Sequence, residues 1–310
     1  MRLRVLARAD VEAALDPDAL VEALAAAFAA LSAGRASMPP RAGVEVPERG
    51  TILLMGAHRH DSPSVTVKLV SVFPGHDPAH QAAIMIFDAA TGTPAALMDG
   101  DAITAARTAA GSRLATRLLA RADADVLAVV GTGVQGEAHL RALLREREWA
   151  EVRVWGRRPD PTRELAARHE ATPCATVQEA LQDAGVVCVA TAATEPVLRR
   201  EWLAPGAHVN SVGFTAAGRE LDEATVRGAL VVVESRESAL APPPAGSTDL
   251  AGAEAHAELG ELVAGTRPGR SGPDELTLYK SVGVGLEDDA AAALVLREAE
   301  ERGLGTVVEL

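Results

Sequence analysis

Between Asp125 and Arg158 the chain reads DVLAVVGTGVQGEAHLRALLREREWAEVRVWGRR. Small apolar residues lead into a glycine-rich turn, a helical apolar pattern follows, and a second apolar run ends the stretch. Strand, turn, helix and strand in this order form the βαβ unit that binds dinucleotides. Gly131 permits the tight turn, Gly133 lets the backbone approach a pyrophosphate, and Gly136 lets helix and strand pack closely. The predicted cofactor-binding residues here are Gly131, Thr132, Gly133, Val134 and Gln135.

The end of the second strand indicates which dinucleotide is bound. Enzymes that select NAD(H) usually place Asp or Glu here to bind the ribose 2′-hydroxyl. This chain has Gly156 followed by Arg157 and Arg158. Guanidinium groups bind a 2′-phosphate, which a carboxylate would repel. The sequence therefore predicts NADP(H) in preference to NAD(H), with two solvated loop arginines as the alternative.

Length and composition limit the other possibilities. The chain has 310 residues, 48% of them hydrophobic and only 3% aromatic, which suits two domains with cores of Ala, Val and Leu. A net charge of −13 argues against nucleic acid or an anionic membrane as partner. Acidic residues interrupt any signal peptide near the start, and no apolar run is long enough to span a membrane, so a cytoplasmic enzyme is predicted. Cys174 and Cys188 are interpreted as core residues, and no metal-spaced cluster is evident.

The first hundred residues predict a sheet with mostly antiparallel strands. Asp16-Pro17 begins a helix that runs to about Leu31. Short strands with tight turns follow, and a second helix is predicted from Ala102 to about Ala120. The predicted strands are Thr51–Met55, Val65–Phe73, Ala82–Asp88 and Pro94–Met98.

Beyond Arg158 the α/β alternation continues. A helix is predicted at Thr176–Asp183, and buried strands at Gly185–Ala190, Ala207–Val212 and Leu230–Glu234. Ligands of doubly wound sheets lie off the carboxyl ends of strands. From the topology we therefore predict cofactor contacts at Thr191, Ser211, Val212 and Gly213. A strand at Thr277–Val282 and a helix at Glu287–Arg302 are expected to end the chain, the last piece returning to the first domain.

Three cations stand out in the first domain. Arg41 follows two prolines that keep the backbone extended, Lys68 interrupts an apolar strand, and Arg107 lies among small residues near a helix start. Lysine and arginine are mostly exposed, so residue type alone leaves a solvated surface position open for each of them.

The chain resembles the ornithine cyclodeaminase/mu-crystallin family in segments spread over nearly its whole length. The segments at Arg107 and at Lys280 are more specific than a glycine-rich loop. The matching segments are 38–41 (MPPR), 66–70 (TVKLV), 96–100 (ALMDG), 103–110 (ITAARTAA), 131–135 (GTGVQ), 219–222 (RELD), 280–283 (KSVG) and 286–288 (LED).

The resemblance implies a Rossmann-type, doubly wound parallel sheet inserted into a mixed α+β domain for substrate binding and dimerisation. The implied domains are 1–116 with 276–310, and 117–275; a homodimer is implied as well. Arg41, Lys68 and Arg107 match residues that surround the substrate's α-carboxylate, and Val282 matches one that borders the substrate. Residues implied to lie along the cofactor are Thr191, Ser211, Val212, Arg219 and Ser281.

One departure from the family's cyclodeaminases favours a different reaction. Where they and the related alanine dehydrogenases place an aspartate at the substrate's amino group, this chain has Thr215, and Asp222 is interpreted as a helix cap. Threonine cannot transfer the protons that cyclodeamination requires. Mu-crystallin-like ketimine reductases also lack this aspartate and prefer the phosphorylated cofactor.

The sequence therefore predicts NADPH-dependent reduction of a small cyclic ketimine carboxylate, such as 1-pyrroline-2-carboxylate or 1-piperideine-2-carboxylate, to a cyclic amino acid. Lys68 is the predicted proton donor, and His80 is a second candidate. Two alternatives stay open: an ornithine cyclodeaminase or alanine dehydrogenase, and a non-catalytic protein that binds NADP and a small ligand.

Overall fold

The computed structural model describes residues 2–213, 218–242 and 245–309. Contacts divide the chain into two compact units, Met1–Arg107 with Gly283–Leu310 and Thr108–Val282. The strands are β1 (Arg2–Leu6), β2 (Ala36–Ser37), β3 (Ala42–Val46), β4 (Gly50–Arg59), β5 (Ser64–Val72), β6 (His80–Asp88), β7 (Pro94–Asp99), β8 (Val126–Val130), β9 (Glu151–Trp155), β10 (Thr172–Pro173), β11 (Val186–Val189), β12 (His208–Ser211), β13 (Leu230–Val233), β14 (Ala257–Glu258), β15 (Thr277–Lys280) and β16 (Thr306–Glu309). The α-helices are α1 (Arg8–Ala14), α2 (Pro17–Ser32), α3 (Gly100–Leu119), α4 (Val134–Leu144), α5 (Pro159–Arg168), α6 (Val177–Leu181), α7 (Glu223–Arg227), α8 (Arg236–Ala239), α9 (Leu259–Val263) and α10 (Gly285–Arg302).

The first unit contains the sheet that the early strands predict. Its order is β16-β1-β7-β6-β5-β4-β2, with β3 on β4, and the pairs from β3 to β7 are antiparallel. Helix α2 begins as predicted, since the Asp16 side chain accepts hydrogen bonds from the backbone of Asp18 and Ala19. Among the described residues, this unit has four strands that the sequence did not indicate, namely β1, β2, β3 and β16. β1 runs parallel to β7 and pairs with β16.

The two faces of this sheet differ sharply. Met55, Lys68 and Ile84 lie opposite one another in the register of β4, β5 and β6 and are buried on the face against which α10 packs. The other face carries apolar side chains that are exposed in the single chain. They are Val44, Ile52, Leu54 and Leu69, which the register places side by side.

The second unit is the predicted Rossmann-type domain. Its sheet has the order β10-β9-β8-β11-β12-β15-β13-β14, and every pair is parallel. Leu127 and Val129 pack on one face with residues of α4 and α5, whereas Ala128 and Val130 pack on the other with residues of α6 and α7. The sheet is therefore wound on both faces, and its order reverses between β8 and β11, where such folds bind ligands.

The unit boundaries differ from the residue numbers implied by the resemblance. β15 pairs with both β12 and β13 and so belongs to the parallel sheet of the second unit. The chain therefore re-enters the first unit at Gly283 and not at residue 276. The other division falls after Arg107, inside α3.

Cys174 and Cys188 are both free and buried, as predicted. No helix in the described ranges is both long and apolar enough to cross a membrane.

Candidate active site

Lys68 is buried although it is a lysine in a strand. Side chains of β5 alternate between the two faces, and Lys68 points toward α10 with only 1% of its surface exposed. Its Nζ lies 2.6 Å from Asp288 Oδ2 and donates to Thr104 Oγ1 at 3.4 Å. Burial lowers the pKa of Lys68 from 10.5 to about 8; the Asp288 carboxylate opposes this shift, and the Arg107 charge adds to it.

Arg107 shares the same carboxylate. From α3, its Nε donates to Asp288 Oδ1 at 3.2 Å and its Nη1 donates to Glu287 Oε2 at 3.0 Å. The side chain is 5% exposed. A buried guanidinium needs such partners, because an unpaired charge away from water is very costly. The two acids therefore fix the position of Arg107 and compensate its charge.

Arg41 joins this group through Gly283. It lies just before β3, and its Nη2 donates to the Gly283 carbonyl oxygen at 2.8 Å. Gly283 has φ 71, and a Cβ there would lie 2.6 Å from Arg107 Nη2, so only glycine fits beside this guanidinium. The segment from Gly283 to Asp288 thus brings the three predicted cations together. His80, the second candidate donor, is exposed at the start of β6.

The sequence did not assign a role to the acids that hold these cations. Glu287, Asp288 and Asp289 follow one another near the start of α10 and are all buried; the first two belong to its first turn. Asp289 accepts a hydrogen bond from Thr66 Oγ1 at 2.7 Å, and burial raises its pKa to about 6. Three consecutive acids in an otherwise apolar segment were the available signal, but their charge is also what a helix start favours.

The glycine-rich turn in the second unit has the geometry that its residues predict. Gly131 has φ 128, and a Cβ there would lie 2.2 Å from the Ala190 carbonyl oxygen; one on Gly136 would lie 2.1 Å from the Gly131 carbonyl oxygen. Gly133 caps α4 without a side-chain hydrogen bond and has open space around its Cα. Val134 is 72% exposed, and Thr132 and Gln135 are half-buried. This turn can receive a phosphate on backbone N–H groups.

The ends of neighbouring strands carry the other candidate cofactor residues. Thr191, Val212 and Gly213 are half-buried beyond β11 and β12, whereas Ser211 is fully buried and donates its hydroxyl hydrogen to Glu220. Ser281 Oγ and the Val282 backbone N–H both donate to Glu234 Oε1, at 2.5 and 2.9 Å. Arg219 is half-buried.

Arg157 and Arg158 are exposed directly after β9, and Arg158 occupies the cap position of α5. A side chain at Gly156 has no room, because its Cβ would lie 2.6 Å from Thr132 Cγ2. Residue 156 thus has little room for a side chain, and two exposed arginines follow it at a helix start.

Thr215 lies outside the described residues. Asp222 caps α7 as predicted, since its side chain accepts from the Thr225 backbone. Among the described residues, no group of three or more His, Cys, Asp or Glu side chains is arranged to hold a metal ion.

Comparison with known proteins identifies the family. The model of the ornithine cyclodeaminase/mu-crystallin family matches residues 1–303. The chain belongs to this family. The family assignment drawn from the scattered motifs is therefore confirmed, and so is the fold, because close structural relatives share it over almost their entire length.

Three relatives of this family member bear most directly on its chemistry. Ketimine reductase mu-crystallin of Mus musculus is 40% identical over 287 residues, which cover 89% of each chain. Delta(1)-pyrroline-2-carboxylate reductase of Bacillus cereus is 32% identical over 279 residues, covering 84% of this chain and 86% of the relative. The corresponding Thermococcus litoralis enzyme, solved in complex with NADH and L-proline, superposes with a TM-score of 0.91 at 35% identity and covers 98% of this chain and 99% of its own.

Proposed function

We propose that this family member reduces small cyclic ketimine carboxylates, of the 1-pyrroline-2-carboxylate or 1-piperideine-2-carboxylate type, to cyclic amino acids with NADPH. The observation that carries the proposal is the buried group of Lys68 and Arg107 on Asp288, joined by Arg41 at Gly283. A small imino acid offers one carboxylate as its main handle, and converging cations can fix its orientation. Relatives named for reductions of this kind support an oxidoreductase acting on a C=N bond.

In the proposed reaction, the imine carbon gains a hydride and the imine nitrogen gains a proton, while the cofactor leaves oxidised. A bound reduced nicotinamide supplies the hydride. Arg41 and Arg107 hold the substrate carboxylate, and Lys68 Nζ gives its proton to the nitrogen and is reprotonated from solvent. Asp288 keeps the lysine beside the arginine before and after this transfer, and Glu287 prevents the guanidinium from turning away.

The direct test is an NADPH-oxidation assay on cyclic imines of different ring size, repeated with NADH. Formation of the cyclic amino acid supports the proposal. Incubation with ornithine and NAD⁺ tests the cyclodeaminase alternative, because release of proline and ammonia would replace the reductase assignment. Tight NADPH binding without turnover on any imine would instead support the binding-protein alternative.

Lys68 gives a pH-dependence with a defined sign. A lysine donates a proton and attracts a carboxylate only while protonated, so kcat/KM for the imine should fall as pH rises through about 8, the lowered pKa of Lys68. The chain has only two lysines, Lys68 and Lys280. Selective ¹³C labelling of lysine Cε therefore gives two side-chain resonances, whose titration can be followed directly by NMR.

The Lys68→Arg variant assigns the Lys68 resonance and serves as the kinetic control. Arginine stays charged over this range, so the residual activity of the variant should lack the alkaline limb. A Lys68 resonance that titrates near the ordinary value of 10.5 would contradict the prediction.

The preference for NADPH would distinguish this chain from a 35% identical relative that was solved with NADH. It depends on Arg157 and Arg158 after β9 and on the lack of room for a side chain at Gly156. Replacing both arginines with alanine should lower kcat/KM for NADPH by about 10- to 100-fold, since a hydrogen bond to a charged group contributes about 1.5–3 kcal/mol. The value for NADH should not change.

Arg163→Ala is the matched control for this substitution. Arg163 is an exposed arginine on α5, the helix that Arg158 caps. It is paired with Asp160, and its loss should affect neither cofactor. A wild-type enzyme that clearly prefers NADH would overturn the cofactor assignment and leave the imine reductase proposal intact.

We also propose a homodimer built on the exposed apolar face of Val44, Ile52, Leu54 and Leu69, since monomers rarely leave such a group of side chains in water. Leu54→Asp should convert a dimer into a monomer in sedimentation experiments, whereas Leu304→Asp, at a half-buried residue outside this face, should not. A wild-type chain that sediments as a monomer would contradict the proposal. A cytoplasmic location stays a prediction of the sequence.

A further inference from the structure

Glu220 is a buried carboxylate at which the ends of two strands meet. Its side chain is among the least exposed acids of the second unit, with 2% of the residue accessible. Oε1 accepts from both the backbone N–H and the hydroxyl of Thr191, each at 2.7 Å. Oε2 accepts from Ser211 Oγ at 2.8 Å and from the Gly213 backbone N–H at 2.7 Å. Two hydrogen bonds on each oxygen leave this carboxylate well satisfied.

These contacts join two neighbouring segments of the parallel sheet. Thr191 lies just beyond β11, whereas Ser211 and Gly213 lie at and beyond the end of β12, which pairs with β11. The Glu220 side chain also occupies the space beside Gly213, because a Cβ there would lie 2.2 Å from Glu220 Cδ. Glu220 thus acts as a brace between the starts of two loops, because it accepts hydrogen bonds from both of them.

Glu220 is itself held in place by a second acid, Asp249, and by Lys280. Asp249 Oδ1 accepts from the backbone N–H groups of Glu220 and Leu221 at 2.9 and 3.0 Å. Lys280 Nζ lies 2.8 Å from Asp249 Oδ2, donates to the Gly213 carbonyl oxygen at 2.7 Å, and lies 3.7 Å from Glu220 Oε2. Glu220 therefore cannot shift without breaking contacts on both of its sides.

The position of the brace relates it to one half of a dinucleotide. In this fold the pyrophosphate lies at the start of the helix after the glycine turn, here α4, and the adenosine ribose lies at the end of the second strand, here β9. The nicotinamide half must then extend in the opposite direction, toward the ends of β11 and β12. We infer that Glu220 is a positioning residue for the nicotinamide half of the cofactor, acting through Thr191 and Gly213.

A further consequence concerns the chemistry offered to the ligand. The hydroxyl hydrogens of Thr191 and Ser211 are both directed at Glu220, so neither is available for a ligand's acceptor. The Thr191 hydroxyl oxygen already accepts from the Ala193 backbone N–H at 3.3 Å, and towards a ligand this half-buried oxygen can only accept as well. The brace therefore suits a ligand that offers donors here, such as a carboxamide NH₂ or a ribose hydroxyl. This inference depends on dinucleotide binding and not on reduction of an imine.

The test compares ligands that do and do not carry nicotinamide. Glu220→Gln keeps the size of the side chain but replaces one carboxylate oxygen with an NH₂ group. This group cannot accept the two hydrogen bonds that the oxygen accepted. The Kd of NADPH and of NADH, measured by titration calorimetry, should rise about tenfold or more, as expected for loss of charged hydrogen bonds. The Kd of 2′,5′-ADP and of 5′-AMP, which end before the nicotinamide half, should not change.

Asp222→Asn is the matched control. Asp222 lies two residues further along, and its carboxylate accepts from the backbone of Thr225 at 2.9 Å and of Arg200 at 3.2 Å, away from the strand ends. It should lower the thermal midpoint without changing the ratio of the two Kd values. If Glu220→Gln weakens dinucleotide and fragment equally, or neither, the inference is wrong.

Thr191→Val keeps the test decisive if Glu220→Gln does not fold, because it removes only one hydroxyl from the brace. The same selective rise in the dinucleotide Kd is expected, but smaller, and an unchanged Kd would also overturn the inference. None of these measurements needs an imine. A failure of the proposed reductase activity would therefore appear separately, as absent turnover with normal binding.

Discussion

Replacing Arg107 with methionine should lower kcat/KM for a cyclic imine carboxylate by about 10³-fold, or about 4 kcal/mol, within the range for losing one partner of a desolvated charge pair. Methionine keeps much of the apolar length but removes every donor. The substrate carboxylate then meets Asp288 and Glu287 without the guanidinium that separates it from them. Steady-state kinetics at saturating NADPH measures the loss.

Two further variants separate substrate binding from general destabilisation. Arg107→Lys keeps a charge but cannot donate to Asp288, Glu287 and a substrate in the same fork geometry, so an intermediate loss is expected. Arg113→Met is the control: Arg113 lies on the same helix, is equally buried, and pairs with Glu146 at 2.8 Å. It should cost stability while leaving kcat/KM unchanged. Imine turnover that survives Arg107→Met would refute the assignment of the substrate site.

Local sequence patterns were sufficient for most of this fold. The run from Val126 to Trp155 specifies strand, turn and helix by residue type alone, and the glycines at 131 and 136 follow from backbone clearances that leave no room for a Cβ. The strands β1 and β16 were not predicted, because each is short and flanked by charged residues. Their pairing joins the two ends of the chain, and no local pattern reports contacts of such sequence separation.

The candidate site divides in a similar way. Its cations could be proposed from the resemblance, but nothing in the sequence predicts which acids hold them, because pairing with Glu287 and Asp288 depends on how α10 packs on the sheet. Glu220 is the clearest example. Glu220 belongs to a segment that resembles the family, but its role can be recognised only from the fold, which places the ends of β11 and β12 side by side. A residue that acts by positioning other residues has no characteristic spacing in the sequence by which it could be predicted.

The chain has only two lysines, and both are fully buried. Its other permanently charged basic side chains are arginines. Lys280 contacts Asp249, Ser211 and the Gly213 carbonyl oxygen, all within 3.0 Å. A compact ammonium directs three donors at partners from separate segments, which a planar guanidinium cannot do in the same space. The position should therefore not tolerate arginine.

Lys280→Met should lower the free energy of unfolding of the second unit by about 3–5 kcal/mol, the usual cost of breaking a buried ion pair by removing one partner. Methionine fills a similar volume, so the loss arises from the charge: Asp249 and Glu220 stay buried without the ammonium that lies 2.8 and 3.7 Å from them. Urea unfolding followed by tryptophan fluorescence measures it, because Trp149, Trp155 and Trp202 all belong to this unit.

A double-mutant cycle shows whether the ion pair is the cause. Combining Lys280→Met with Asp249→Asn should cost less than the sum of the single variants by about 1–3 kcal/mol, the coupling typical of residues in direct contact. Arg121→Met removes an exposed ion pair with Asp123 from the same unit and should cost less than about 1 kcal/mol. If Lys280→Met costs no more than this control, the lysine does not hold the strand ends together. The Glu220 brace is then stabilised by the hydrogen bonds that Thr191, Ser211 and Gly213 donate to its carboxylate.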